Sequence, residues 1–184
     1  MSGDCNAMYL FVGSTAVSLK ILSSISKEAQ RKKFAKIASS RRKARDSVNH
    51  QVFHKPKQKE LDNKIYNVHD SVELLEKFKS GELSRADTVL ALSRRSFEIG
   101  RHELDSVTEE LYDEAYLEAK AFDEQGGDNN SMSMLGIPVS IKDCVHMKGC
   151  DTTMGIIARC FKPEAEDGLL VKLLRRAGCI PFVR

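Results

Sequence analysis

The stretch Leu135–Cys144, LGIPVSIKDC, ends a short apolar run in a lysine followed at once by an aspartate. A lysine in that place could act as a general base, but only when neutral. With an ordinary pKa of roughly 10.4, about one lysine in 2,500 is neutral at pH 7. Burial in a low dielectric lowers that value by ~3 units or more and makes the amine a usable proton acceptor. Lys142, at the end of a predicted buried strand, is a candidate for such a shift. The competing reading is a surface charge at a strand end, with Asp143 an ordinary loop residue or cap. Thr152 and Thr153, in the turn-rich KGCDTTMG segment, are expected to hydrogen-bond within the turn.

The elements that must position Lys142 follow from the pattern around it. Ile137, Val139 and Ile141 alternate with Pro138, Ser140 and Lys142, which is the period of a strand. Burying each of those aliphatic side chains contributes about 1.5–3 kcal/mol. That fixes the register and sets Ser140 and Lys142 on the opposite face. Pro138 lacks an N–H and belongs at the strand's start or on an unpaired edge. Downstream, Asp167 opens a predicted helix, GLLVKLLRRAG, with Leu169, Leu170, Leu173 and Leu174 apolar. Arg175 and Arg176 suit the negative end of its dipole, Gly178 stops it, and CIPFVR reads as a second strand. Strand, helix and strand in that length predict a βαβ unit with parallel strands. A parallel sheet of two strands leaves both edges open, so the sequence reads as unfinished.

Upstream, three helices are expected. Asp70 or Ser71 caps one that runs to Lys79, burying Val72, Leu74, Leu75 and Phe78 before Gly81. Ser84 starts a second, with Asp87 as a shortened capping box. It extends to Ile99 with Val89, Leu92, Ser93, Ser96 and Phe97 as a packed face. A third covers roughly 108–123, with Leu111, Ala115, Leu117, Ala119 and Phe122 inward. Glu109, Glu110, Asp113 and Glu114 read as its solvated face. The segment GGDNNSMS, 126–133, has the composition of a flexible surface loop.

The net charge of +3 conceals a segregation. Residues 27–59 carry twelve Lys/Arg against two carboxylates, a net +10, which leaves −7 for the rest. Ala7–Ile25 is about the ~20 residues that a bilayer crossing needs, although Ser, Thr and Gly dilute its apolarity. A basic block directly after it predicts a cytoplasmic side for the downstream chain. The expected organisation is a possible membrane anchor over 1–26, a basic helix and linker over 27–60, and a catalytic-type domain from 61 to 184. A membrane surface is the expected partner of residues 7–59, and a short buried leader with a solvated helix is the bland alternative. Nucleic acid is not expected: Phe34 and Phe53 are thin aromatic interleaving for such a block. The five cysteines form no CxxC pair and suit a reducing compartment. Cys144, His146 and Cys150 match no usual zinc spacing, and no metal or cofactor is expected.

The segment GIPVSIKDCVHMKGCDTTMG resembles the lysine-bearing motif of the amidase signature family of hydrolases. The likeness rests on Gly136, Pro138, Val139, Ser140, Lys142, Asp143, Lys148, Gly149, Asp151, Thr152, Thr153 and Gly155. It extends over about residues 68–184 and, with the Asp-Thr-Thr-Met-Gly turn, is most like the fatty acid amide hydrolase branch. The resemblance implies an α/β fold: amino-terminal helices followed by the first βαβ of a mixed sheet, an incomplete amidase signature fold. It implies an acyl amide substrate and a Ser–cisSer–Lys triad in which Lys142 matches the lysine. Both serines of such a triad sit in a Gly/Ser-rich segment that residues 1–184 do not contain, so the chain is expected to be inactive alone. A second reading is non-enzymatic: a shortened form that binds a membrane or the intact enzyme through Lys27–Lys59.

Overall fold

Asp70 and Ser84 start two helices where the sequence placed them, whereas the last helix starts after Gly168, with no side-chain cap, rather than at Asp167. The structure, a computed structural model, describes the backbone of residues 3–126 and 132–184, with side chains from Lys20 onward except Ile21. The chain divides into two compact units, Met1–Asp46 and Ser47–Arg184.

The first unit is one helix, α1 (Gly3–Asp46). The reading of residues 7–25 as a membrane anchor falls almost wholly on side chains outside the described residues. Among the described residues no helix is long and apolar enough to cross a membrane.

The second unit holds α2 (Lys59–Tyr66), α3 (Ser71–Lys79), α4 (Arg85–Arg95), α5 (Tyr112–Glu124), β1 (Pro138–Ser140), α6 (Leu169–Arg176) and β2 (Ile180–Val183). The Asp70 carboxylate accepts the Val72 and Glu73 N–H groups at 2.8 and 2.9 Å, capping α3. Ser84 caps α4, its Oγ accepting from the Asp87 N–H and donating to the Asp87 carboxylate. Asp123, at the far end of α5, completes that start by accepting the Arg85 and Ala86 N–H groups. Helix α4 is central, with Thr88, Val89, Leu90, Ala91 and Ser93 all buried. It does not stop at Gly100; Ser96–Arg101 continues it as a π-helical turn.

The sheet is the predicted parallel pair, with Pro138 opposite Ile180 and Ser140 opposite Val183. Ile137 and Ile141 are buried and Val139 partly so, while Ser140 and Lys142 are exposed, as the alternation requires. Gly136 donates to the Gly178 carbonyl at 2.8 Å, joining the entries to the two strands. Both glycines have positive φ, and a Cβ at Gly136 would lie 2.3 Å from the Arg85 side chain. No other residue fits there without displacing that arginine.

Several expectations are corrected. The third helix starts at Tyr112, not near 108, and Tyr112 itself is fully buried. Val72 and Leu117 face solvent at 62% and 65% exposure. In α6 the inward residues are Val171, with Leu174 half-buried beside it; Leu169, Leu170 and Leu173 are exposed. Only the side of α6 that carries Val171 and Leu174 meets a core cluster among the described residues, so the other three leucines have no surface to pack against.

The carboxylates read as a solvated face are anchors instead, Glu114 excepted. Glu110 is 3% exposed, paired with Arg101 and with His50 Nε2. Asp113 accepts the Val52 and Gln51 N–H groups at 2.7 and 3.2 Å. These bonds, with the ring cluster of His50, Phe53, Phe97 and Tyr112, fasten residues 50–53 to the start of α5. Burial pushes the Tyr112 hydroxyl up to about 12.

Candidate active site

In parallel α/β sheets, ligands bind in the crevice beyond the carboxyl ends of the strands. Here those ends are Lys142, two residues past β1, and Arg184, one past β2. Between them and the π-helical turn lies a concavity whose wall includes Gly100, Ser106, Ser140, Lys142, Asp143 and Arg184. Lys142 itself is exposed, and its carbonyl accepts the Val145 N–H at 2.9 Å, closing a tight turn. No described residue of 1–184 covers it from solvent.

The turn beneath Lys142 is held by polar groups that the sequence flagged and by one that it did not. Asp143 Oδ2 accepts the Thr153 hydroxyl at 2.7 Å, and the Thr153 Oγ in turn accepts the Gly155 N–H at 3.1 Å. Thr153 thus bonds within the turn as expected, whereas the buried Thr152 hydroxyl has no hydrogen-bond partner among the described residues. Partial burial pushes the Asp143 carboxyl up. The Thr153 hydroxyl, the Thr153 and Met154 N–H groups and the Arg184 charge outweigh it and hold the group below the usual carboxylate range. Asp151 is buried, and its carboxylate accepts the Phe161 and Lys162 N–H groups, both at 2.7 Å. That folds residues 161–162 back onto the turn.

Arg184 is the residue of the candidate site that sequence reasoning missed. Its side chain is 0% exposed. Nη1 donates to the Asp151 carbonyl at 2.8 Å, and Nη2 to the Asp143 and Val145 carbonyls at 3.0 and 2.8 Å. The Glu109 carboxylate lies 3.4 Å away. An arginine next to a chain of buried strand residues was the available signal, but nothing local says where the guanidinium goes.

The cysteine and histidine group does not converge. Cys144 is exposed, His146 pairs with Glu164, and Cys150 is buried. Burial, with Glu109 alongside, pushes the Cys150 thiol up to about 12, although Arg184 opposes the shift. Such a thiol stays protonated and unreactive at neutral pH.

Residues 87–184, from within α4 through both strands and Lys142, match the sequence profile of the Amidase family. The chain is a member of the amidase family. It is 34% identical over 111 residues to putative amidase kk1C of Curvularia clavata, covering 59% of this chain and 20% of that protein. It is 30% identical over 124 residues to fatty-acid amide hydrolase 1 of Sus scrofa, covering 67% of this chain and 20% of the relative. Among solved structures, a fatty acid amide hydrolase superposes with a TM-score of 0.61 at 22% identity, over 67% of this chain and 22% of that one. An amidase family protein from Bacillus anthracis str. Ames gives 0.60 at 21% identity, over 80% and 28%. These superpositions show a shared fold. The chain spans about a fifth of the length of the curated relatives it matches.

Proposed function

We propose that this chain supplies the lysine of an amide-hydrolysing Ser–cisSer–Lys triad that acts on acyl amides. What carries the reading is the placement of Lys142: at the carboxyl end of a parallel strand, on the rim of a concavity, within the segment that matches the amidases. A serine hydroxyl needs a base to become an effective nucleophile. An uncharged Lys142 amine would take its proton through the bridging serine and later return one to the departing amine. Backbone N–H groups would stabilise the oxyanion.

An exposed ammonium in water cannot do this, so the chemistry needs the Lys142 face covered by polypeptide that also brings the two serines. Residues 1–184 contain no Gly/Ser-rich segment to serve as that source. Taken alone they are proposed to be the amino-terminal part of the catalytic fold and to leave acyl amides intact. Replacing the matching portion of Sus scrofa fatty-acid amide hydrolase 1 with this chain tests the reading. Hydrolysis of a long-chain acyl amide by the chimera, and none by 1–184, supports it. A folded chimera that does not cleave the amide contradicts it.

The same proposal sets α1 at an anionic membrane surface, with residues 7–25 as the anchor and the following domain on the cytoplasmic side. Lys27, Arg31, Lys32, Lys33, Lys36, Arg42 and Lys43 are all exposed, which suits a field that falls off within a Debye length. Co-sedimentation with phosphatidylserine vesicles separates 1–184 from 47–184. The cut belongs at 47, because removing residues 47–59 would strip His50 and Val52 from the packed unit. Equal pelleting of both proteins removes the membrane role.

A further inference from the structure

We propose that Arg184 is the positioning residue for Lys142, holding the turn after β1 through its peptide carbonyls. The proposal rests on the reading of Lys142 as the reacting amine. The segment from Lys142 to Asp151 belongs to no helix or strand. Its backbone bonds serve other groups: Val145 donates to the Lys142 carbonyl, Cys150 to that of Met147 and Gly149 to that of Glu164, while the Cys150 and His146 carbonyls accept from Glu164 and Gly168. The carbonyls of Asp143, Val145 and Asp151 point inward, where each needs a donor. The Arg184 guanidinium serves all three, at 3.0, 2.8 and 2.8 Å.

Distances decide what the guanidinium is for. Its contacts to those carbonyls are shorter than its contacts to carboxylates, 3.4 Å to Glu109 and 4.0 Å to Asp143. The carboxylates therefore balance its charge, while the hydrogen bonds hold backbone. A planar fork of fixed donors suits three acceptors in different directions, and a lysine ammonium on a flexible stem does not reproduce it.

Arg184 is itself fixed at the main chain. Its N–H donates to the Glu109 carbonyl at 2.9 Å, and its carbonyl accepts the Thr108 N–H at 2.7 Å. The position of β2 is thereby passed to the turn. Asp143 follows Lys142 directly, and the Val145 N–H binds the Lys142 carbonyl, so fixing residues 143 and 145 fixes the backbone from which the amine projects.

The test uses the full 1–184 chain and the variants R184K and R184M. Amide hydrogen exchange is read at Val145, Cys150 and Thr153 and compared with amides inside α4. In R184K the ratio of turn to α4 exchange rates rises by about tenfold or more, as expected for local opening. A role in general stability alone raises both sets by the same factor and leaves the ratio at its wild-type value, which overturns the proposal. R184K retains the charge and carries this test by itself where R184M does not fold. A second readout is the NMR signal of Lys142 after reductive 13C-methylation. In R184K it moves or broadens while Lys77 and Lys120 stay in place; an unmoved Lys142 signal also overturns the proposal. Failure of the Lys142 reading shows elsewhere, as activity surviving the loss of its amine, and leaves the exchange ratio untouched.

Discussion

At the carboxyl end of β1 the Lys142 side chain reaches solvent, whereas at that of β2 the Arg184 side chain is 0% exposed and both its terminal nitrogens bind carbonyls of the turn beneath Lys142. Both residues are cations on adjacent parallel strands, and both border the same concavity. The difference follows from the chemistry of the two groups. A guanidinium is always charged, weakly hydrated and able to satisfy several carbonyls, so it tolerates burial as a structural part. An ammonium is strongly hydrated and changes its protonation state when water is removed, so the same burial makes it reactive. In residues 1–184 the permanent cation is inside and the titratable one outside.

The contrast can be broken most forcefully at Arg184. R184M is expected to destabilise the chain by about 3 kcal/mol, because it leaves three inward carbonyls without their donor and takes the cation away from the Glu109 carboxylate. Urea unfolding of 1–184 measures it. A loss near zero would show the buried cation to be dispensable. Next, E110Q should cost about 2 kcal/mol by leaving Arg101 buried with a weakened partner. It should also loosen residues 50–53, seen as proteolytic cleavage near His50.

A smaller effect concerns acid. Asp143 is held below the usual carboxylate range in the folded chain. Its contribution is therefore fully present above the ordinary carboxylate value and is lost as pH falls through the depressed folded-state value. D143N should flatten the acid limb of the unfolding midpoint against pH; an unchanged limb would exclude Asp143 as its source. Smallest of all, K142M should change the stability of 1–184 by less than about 0.5 kcal/mol, as exposed sites do. A large loss would mean that Lys142 is already structural.

The sequence made legible what short-range rules control. Asp70 and Ser84 cap the helices assigned to them, Gly81 and Gly178 take positive φ at helix ends, and the Ile137–Ile141 alternation sets the strand faces. The parallel pairing followed from the length of the crossover. What stayed hidden depends on partners far along the chain. The Arg184 contacts span 33 to 41 residues to the turn carbonyls, and His50 meets Glu110 across 60. Local pattern shows an arginine at a strand end and a run of carboxylates before a helix, both of which look solvated. The leucines of α6 misled for the opposite reason: an apolar residue type signals burial only if a surface is there to receive it.

The central claim is that Lys142 works as an uncharged amine once covered. The most direct measurement is kcat for acyl amide hydrolysis by the K142R form of the chimera. Arginine keeps a long cationic side chain at this position but cannot give up its proton at neutral pH. The account predicts that kcat falls by about 10³-fold while KM stays within a few-fold. A K142R enzyme that retains kcat within tenfold of the unsubstituted chimera would contradict it.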